Sequence, residues 1–359
     1  MGTRPVSTLR VMARSSAGLL ERLASGPVIC AEGYLLELER RGYLQAGAFV
    51  PEVVLEHPEL VTQLHREFVH AGSDVVEAFT YYAHREKLRL IGREDDLEPI
   101  NRQALALARE VAAESGCLFA GDICNTNVYS PDDPAAERDV RAMFEEQVGW
   151  ALEAGVDYVV GETYTWGSEA LLAVEEIKRA GLPAVVTLSI HQSGRVREGW
   201  TPEDACRRLE QAGADVVGLN CGRGPATMLP LIGAIVDAVE CPVAALPVPY
   251  RTTPDEPTFM SLTDPDCDCI PGGMPFPTAL DPLQCNRYEI GQFARAAHEL
   301  GVSLLGICCG NAPHLTRALA EALGRTPPAS RYSADMSKHA YFGTDASLKR
   351  ENIEFAGEL

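Results

Sequence analysis

The sequence predicts an α/β barrel of the (βα)8 class, on three observations. Eight short runs rich in β-branched residues recur along the chain. They alternate with longer amphipathic segments, and the whole series occupies roughly 300 residues. An open doubly wound sheet usually has fewer strands, so it fits the count less well. We therefore expect a (βα)8 TIM barrel with a long loop after strand 7 and a short C-terminal extension.

The strand candidates have the nearly continuous apolar character of parallel strands that are buried on both faces. In chain order they are PVICAEG, DVVEAFTYY, CLFAGDI, DYVVGET, AVVTLSI, DVVGLNC, VAALPVP and SLLGICCG. The helical candidates are amphipathic, and several end in Ala-Gly or Leu-Gly, as glycine-capped helices do. They are LLELERRGY, INRQALALAREVAAES, ERDVRAMFEEQVGWALEAG, SEALLAVEEIKRAG, EDACRRLEQAG and NRYEIGQFARAAHELG.

Changes in composition divide the chain into three segments. We expect an N-terminal extension over residues 1–17, the barrel domain over 18–326, and a C-terminal extension over 327–359 that could form a subunit contact. The N-terminal residues lack acids and are rich in Arg and Ser, and an unstructured extension is favoured there over a transit peptide. Residues 247–286 are rich in Pro, Asp and Gly, so they predict the long loop over one mouth of the barrel.

The charge balance excludes several classes of partner. Lys and Arg number 31 against 51 Asp and Glu, which gives a formal net charge of -20. Without a local basic patch, such a chain repels nucleic acid and anionic membrane surfaces. No apolar run approaches the roughly 18 residues of a membrane span, and no apolar signal core is recognisable. We expect a soluble, cytoplasmic protein whose 11 cysteines are reduced thiols rather than a disulfide framework.

Five of the predicted strands end in residues suited to chemistry, and barrel enzymes place reacting groups at these ends. The residues are Glu32 and Gly33 after the first strand, Tyr81 and Tyr82 after the second, Glu162 after the fourth, Asn220 and Cys221 after the sixth, and Cys308 and Cys309 after the eighth. Strands six and eight have one strand between them, so their end groups can meet around a single ion. The sequence thus predicts three thiols at one mouth.

Three thiolates with an open fourth position suit a zinc ion that takes part in chemistry. A substrate thiol bound in the fourth position would lose its proton and remain nucleophilic. Its natural electrophile is a cationic methyl donor, because thiolate plus onium gives neutral thioether plus neutral amine. A dry pocket favours a reaction in which charge disappears.

Other interpretations of these cysteines stay open from the residues alone. Cys221 could be an inert buried thiol, and the adjacent pair Cys308 and Cys309 could form a vicinal disulfide or bind an iron–sulfur cluster. Cys267 and Cys269 in the long loop are a weaker candidate for a second metal site. The remaining cysteines are interpreted as packing or surface thiols.

A cationic donor also calls for an aromatic cage. Phe79, Tyr81 and Tyr82 follow strand two, and Phe49 lies in the preceding loop. Such aromatic residues can equally belong to the core or the rim of a barrel. Glu162, as a carboxylate at a strand end, can hold a substrate ammonium or balance an onium.

The motifs GLNCGRGP (218–225) and GICCGNAP (306–313) resemble the two cysteine motifs of the zinc-dependent homocysteine S-methyltransferases. The stretch from VICAEGYLLELERRGY to VVEAFTYYA, and RYEIGQFARAAHELGV further on, are most similar to the betaine–homocysteine S-methyltransferases of that family. The resemblance covers residues 18 to 330. It implies a barrel enzyme that moves a methyl group from a betaine-like or sulfonium donor to homocysteine, giving methionine.

Position by position, the resemblance implies that Cys221, Cys308 and Cys309 bind Zn2+ and that Glu162 is the catalytic acidic residue that contacts both substrates. Tyr82 falls on a tyrosine of the betaine pocket, and Phe49 replaces a tryptophan there. The full set predicted to bind substrate is Glu32, Gly33, Tyr34, Phe49, Tyr81, Tyr82, Glu162 and Asn220.

The chain departs from the family pattern at two points. Ala31-Glu32-Gly33 replaces Asp-Gly-Gly, so the aspartate that grips the amino-acid end of homocysteine is missing. By strand alternation, the Glu32 side chain is expected to point to the opposite side of the strand. Thr163 stands where the betaine enzymes carry a tyrosine that can cap the zinc.

These departures leave two alternatives open: a different acceptor thiol, or a zinc-binding sensory barrel without catalysis. The C-terminal arm is shorter than in the betaine enzymes, so we expect a homo-oligomer that is a dimer.

Overall fold

A computed structural model describes residues 17–266, 273–344 and 358. Eight parallel strands form a closed barrel in which every strand pairs with its neighbours in chain order. The predicted (βα)8 barrel is confirmed. The strands are β1 Val28–Ala31, β2 Val75–Glu77, β3 Leu118–Cys124, β4 Tyr158–Tyr164, β5 Ala184–Leu188, β6 Val216–Asn220, β7 Val243–Leu246 and β8 Leu304–Ile307.

Helices connect the strands and cover the outside of the barrel. The described helices are α1 Leu19–Ser25, α2 Tyr34–Arg40, α3 Val53–Glu56, α4 Pro58–Ala71, α5 Arg85–Leu90, α6 Leu97–Ser115, α7 Pro134–Ala154, α8 Gly167–Arg179, α9 Pro202–Gln211, α10 Pro225–Val236, α11 Arg287–Glu299 and α12 Pro313–Ala322. Local signals set their ends. Pro58 opens α4, and Asn286 and Glu289 form a reciprocal capping box at the start of α11.

The barrel closes between β1 and β8, where Cys30 lies opposite Gly306. A β-carbon at Gly306 would meet the Cys30 carbonyl oxygen at 2.1 Å. Only glycine fits there, because any side chain would push the two strands apart. This contact fixes the register of the strand that leads into Cys308 and Cys309.

Several predicted strands are shorter in the structure than in the sequence pattern. β2 ends at Glu77, and the chain turns where the Thr80 amide donates to the Ala78 carbonyl at 2.8 Å. Tyr81 and Tyr82 therefore lie in the loop beyond the strand rather than at its end. β1 likewise ends at Ala31, one residue before Glu32.

The long loop after β7 covers the mouth of the barrel as predicted, since its described residues Phe259, Met260 and Phe276 line the main pocket there. Cys267 and Cys269 lie outside the described residues, so the second metal site stays a prediction. The described part of the C-terminal extension, up to residue 344, contains two short 3-10 helices, Pro328–Tyr332 and Met336–Lys338. Its subunit contact, and the three segment boundaries, also stay predictions. Among the described helices, none has both the length and the apolar composition that crossing a bilayer requires.

Candidate metal centre and substrate pocket

Three thiols meet at the C-terminal mouth of the barrel. Cys221 is the first residue after β6, and Cys308 and Cys309 directly follow β8. Their Sγ atoms all lie within 4.8 Å of one another. Sulfur atoms bound tetrahedrally to one zinc ion are roughly 3.8 Å apart, given a Zn–S distance of about 2.3 Å. The three thiols are therefore close enough to hold one such ion.

Backbone hydrogen bonds to the neighbouring strand fix the cysteines. The Cys221 amide donates to the Leu246 carbonyl at 3.0 Å, and the Cys308 amide donates to the Pro247 carbonyl at 2.9 Å. Both bonds extend the barrel ladder past the strand ends, toward β7 from either side. The convergence of the thiols is thus a property of the barrel itself.

The ionisation of the three thiols is coupled through their contacts. Hydrogen bonds from Cys308 and Cys309 hold the pKa of Cys221 well below its ordinary value. Burial raises the pKa of Cys308, and the hydrogen bond with Cys221 raises that of Cys309. The three thiols therefore do not ionise independently of one another. All three are free thiols in the structure, with no bond between Cys308 and Cys309.

Asn220, the last residue of β6, connects the carboxylates to the thiols. Its Nδ2 donates to Glu162 Oε2 and, at 2.9 Å, to Thr163 Oγ1. Its Oδ1 accepts from the Thr163 amide at 2.9 Å, and Thr163 Oγ1 donates to Glu162 Oε2 at 3.0 Å. Asn220 and Glu162 are buried. These hydrogen bonds fix the position of the Glu162 carboxylate.

The expected direction of Glu32 is wrong. Its side chain is buried in the barrel mouth, where one carboxylate oxygen lies within 4.8 Å of a Glu162 oxygen and of Cys308 Sγ. Strand alternation does not apply to it because β1 has already ended and the chain turns at Gly33, whose φ is 92°. Gly33 is needed there, since a β-carbon would meet the Cys308 carbonyl oxygen at 2.6 Å.

Two further acids, Glu77 and Asp122, join the site, and the sequence reasoning missed them. Glu77 ends β2 and Asp122 lies within β3. One carboxylate oxygen from each lies within 4.8 Å of the other and of a Glu162 oxygen. The available signal was an ionisable residue inside an otherwise apolar strand, as in VVEAF and FAGDI. We call Glu32, Glu77, Asp122 and Glu162 the acidic floor.

The acidic floor is buried, and its electrostatics follow from that. All four residues are buried. Burial is the largest cause that raises the pKa of each carboxyl group, to about 8 for Glu32 and well above the ordinary value for the others. Repulsion from neighbouring carboxylates raises the pKa of Glu77, Asp122 and Glu162 further.

A pocket of about 560 Å³ lies above the floor and the thiols. Phe49, Tyr81 and Tyr82, the predicted cage, all line it. The rings of Tyr81 and Tyr82 are 4.2 Å apart. Lys87 Nζ lies 3.8 Å from the centroid of the Tyr82 ring, so one face of this ring already contacts a cation. Phe79 instead lines a smaller cavity next to the floor.

Tyr34 lies beneath the pocket rather than in it. It opens α2, lines the smaller cavity, and packs edge-on against His65 and Phe68 at 5.0 and 5.5 Å. Its ring thus packs against buried groups below the floor, and its predicted contact with substrate stays a prediction.

The described backbone is strained at this pocket more than elsewhere. Five non-glycine residues have positive φ between 55° and 64°: Phe49, Tyr82, Asn127, Thr163 and Cys221. All five line the pocket. A left-handed conformation is unfavourable for such residues, most of all for β-branched threonine, and strain of this kind concentrates at functional sites.

The outer edge of the pocket is cationic, although the chain carries a net charge of -20. Lys87, Arg195 and Arg197 line it, and among its described lining residues there is no Asp or Glu. Arg195 donates to the Gly199 carbonyl at 2.9 Å, and Arg197 lies 5.1 Å from the Trp166 ring. Within the described part of the chain, none of the three forms an ion pair. We call these three residues the cationic rim.

The homocysteine S-methyltransferase family model matches residues 31–323 of this chain. The chain belongs to this family. The predicted family and the methyltransferase class are therefore confirmed.

Relatives in the homocysteine S-methyltransferase family include betaine–homocysteine S-methyltransferase 1 of Danio rerio, which is 38% identical over 93% of this chain and 82% of its own length. The S-methylmethionine–homocysteine S-methyltransferase of Mus musculus is 34% identical over 93% of this chain and 88% of its own. The homocysteine methyltransferase MmuM of Escherichia coli, in a metallated form, matches with a TM-score of 0.64 at 18% identity, over 82% of this chain and 95% of its own. At that identity the last comparison supports the fold alone.

Proposed function

We propose that this protein transfers a methyl group from a carboxylate-bearing onium donor, betaine-like or sulfonium, to the thiol of homocysteine, giving methionine. Zinc held by Cys221, Cys308 and Cys309 is the proposed cofactor. One observation carries the proposal: the three thiols, with Sγ atoms within 4.8 Å, adjoin a pocket of about 560 Å³ that Cys221 and Cys309 line. The three sulfur ligands suit a zinc ion, and the adjoining pocket leaves room for a substrate thiol to bind to it.

Cys221, Cys308 and Cys309 would hold the zinc ion as thiolates. Zinc held there would supply a Lewis acid that lowers the pKa of an acceptor thiol, so that its sulfur is nucleophilic at neutral pH. Cys221 and Cys309 face the pocket, so an acceptor would approach from that side.

The reaction itself needs alignment more than proton transfer. A sulfur lone pair attacks the donor methyl, the bond from methyl to nitrogen or sulfur breaks, and a neutral amine or thioether leaves. Glu162, which Asn220 and Thr163 hold by hydrogen bonds, would orient the acceptor and balance the donor's positive charge. The long loop shields the pocket through Phe259 and Phe276, and a dry pocket favours the loss of charge during transfer.

The proposed class of methyl donor is argued from the residues that line the main pocket. Phe49, Tyr81 and Tyr82 offer ring faces for an onium group. The cationic rim, which has no ion-pair partner of its own among the described residues, complements a carboxylate. The two relatives act on different donors, betaine and S-methylmethionine, and both of these compounds carry a carboxylate. A zwitterionic donor suits both the aromatic residues, through its onium group, and the cationic rim, through its carboxylate.

We also propose that the enzyme works in the cytoplasm, where its thiols stay reduced, and that it forms a dimer. The C-terminal extension exposes Tyr332 and Phe342, which are apolar groups suited to a contact with a second copy.

A donor screen tests the proposal directly. Zinc-loaded protein is incubated with homocysteine and, in separate reactions, glycine betaine, other betaines, dimethylated amino acids, sulfonium compounds and S-methylmethionine, each with a deuterated methyl group. We expect labelled methionine from at least one donor, measured by mass spectrometry, and loss of the product after chelation. A zinc-loaded protein that produces no labelled methionine from any donor would overturn the proposal.

A further inference from the structure

A second, much smaller cavity lies at the bottom of the site. Its volume is about 30 Å³, and the acidic floor lines it together with Cys308 and Cys309. Lys, Arg and His are absent from its described lining. Four buried carboxylates thus face a space that contains no protein cation.

One oxygen in this cavity lacks a partner. Asp122 is 4% exposed, and its Oδ1 has no hydrogen-bond partner among the described residues. Buried polar atoms are nearly always paired, because an unpaired one loses its hydration without replacement. Asp122 lines the cavity, so a hydrogen-bond donor that enters the cavity can pair with this oxygen.

The size and position of the cavity limit what can enter. A volume of about 30 Å³ accommodates a single group the size of a water molecule. Leu35, Tyr81, Thr163 and Cys309 line both this cavity and the main pocket, so the two spaces adjoin. A small cationic group on a larger molecule can therefore reach the floor while the rest of the molecule stays in the main pocket.

We propose that the acidic floor is the binding site for the primary ammonium group of the acceptor thiol, and that Glu77, Asp122 and Glu32 are specificity residues for it. The inference rests on the proposed function and deepens it. An ammonium group has three N–H donors, which match the carboxylate oxygens of Glu77, Asp122 and Glu162 that lie within 4.8 Å of one another. Cys308 also lines the cavity, so an acceptor would place its nitrogen and its sulfur side by side.

This site takes over a role that the sequence leaves vacant at position 31, where alanine stands. Each charge-assisted hydrogen bond to a buried carboxylate discriminates strongly against a ligand that lacks the ammonium. The floor therefore selects aminothiols over plain thiols of the same length.

The test compares homocysteine with 4-mercaptobutanoate, which is the same thiol acid without the amino group. Binding to zinc-loaded protein is measured by calorimetry without a methyl donor, for the wild type, Asp122→Asn and Glu77→Gln. We expect the wild type to prefer homocysteine, and each variant to lose roughly 10- to 100-fold of that preference. Affinity for 4-mercaptobutanoate should fall much less.

Glu176→Gln is the matched control, because Glu176 is a buried carboxylate on α8 that pairs with Arg141 and Arg179 away from the floor. It should keep the wild-type preference. Zinc content and thermal unfolding are measured for every variant, so that loss of metal or of fold is recognised. The wild-type comparison alone decides the matter if a variant does not fold.

Three results would overturn the inference. The first is that the wild type binds homocysteine and 4-mercaptobutanoate with equal affinity and still transfers methyl groups. In that case the inference fails but the proposed function does not. The second is an unchanged preference in both folded variants. The third is a second metal equivalent per chain that Asp122→Asn removes, which would make the floor a metal site. If neither thiol binds to the zinc-loaded protein, the proposed function fails as well.

Discussion

The acidic floor and the cationic rim lie in the same mouth of the barrel, yet they differ in charge, burial and origin. The floor residues lie in or directly after β1 to β4 and are at most 5% exposed. The rim residues Lys87, Arg195 and Arg197 come from α5 and from the loop after β5, and both arginines are exposed. The site is thus acidic and buried at its base, and cationic and solvent-exposed at its edge.

This difference separates two tasks. Strand ends are held by ladder hydrogen bonds on both sides, so groups placed there keep a fixed geometry, as bond-making requires. Loop residues can vary without disturbing the barrel, so they are suited to selecting substrates. Changes in the floor should therefore weaken binding of the acceptor, whereas changes in the rim should alter which donor is preferred.

The largest expected effect follows from removing one thiol beside the floor. We expect Cys308→Ala to lose its zinc and to reduce turnover by roughly a thousandfold or more, because two remaining thiolates no longer form a three-sulfur donor set. Metal content is measured by mass spectrometry and turnover by methionine formation.

Cys117→Ala is the matched control for that variant. Cys117 precedes β3, at the other end of the barrel, and its thiol contacts the Ser73 carbonyl at 3.4 Å. It should retain full zinc and activity. If the Cys308→Ala protein kept wild-type zinc content and turnover, the proposed role of the three thiols in the mechanism would be wrong.

A smaller effect is expected at the rim. Arg195→Gln combined with Arg197→Gln should raise KM for a carboxylate-bearing donor by roughly two- to tenfold and leave kcat nearly unchanged, because exposed charges contribute modestly and mainly to binding. Kinetics at low and at high salt measure this, and salt should reduce the difference.

Arg102→Gln combined with Arg207→Gln changes the net charge equally, on the outer helices α6 and α9. This control should leave KM unchanged. If the control raises KM as much as the rim variant, overall charge rather than the rim attracts the donor.

The smallest effect concerns the support beneath the floor. Burial lowers the pKa of His65 to about 3, and neither ring nitrogen has a partner among the described residues. In the unfolded chain, by contrast, the His65 ring takes up a proton near pH 6.5. The contribution of His65 to the free energy of unfolding is therefore fully present above pH 6.5 and is lost as the pH falls toward 3. Linkage predicts a loss of about 2 kcal/mol between pH 7 and pH 5.

His65→Phe should lack this part of the acid destabilisation, while it keeps a ring against Tyr34. The difference in unfolding free energy between pH 7 and pH 5, measured in urea, should be smaller in the variant than in the wild type. His298→Gln, on the exposed end of α11, serves as the control with a wild-type difference. Equal differences in His65→Phe and wild type would mean that His65 is protonated in the fold.

The sequence predicts the parts of the site that lie on strands better than the parts that lie on loops. The alternating runs predict the barrel, and strand order then requires Cys221 to approach Cys308 and Cys309. The direction of Glu32 depends on β1 ending one residue early, which periodicity does not reveal. Glu77 and Asp122 could not be placed because inward and outward faces depend on the barrel stagger. The rim depends on loop conformations, which carry no periodic signal. The roles assigned to the individual residues stay predictions.

The five left-handed residues of the pocket wall have a consequence for engineering. Glycine or asparagine at Phe49, Tyr82, Thr163 or Cys221 would relax the backbone by roughly 1 to 3 kcal/mol at each position, so a search for heat resistance that ignores turnover will favour these sites. The same replacements remove the rings, the hydroxyl and the sulfur on which the proposed recognition depends. Substitutions that raise thermal stability are therefore best placed on the outer helices, where they do not affect the pocket.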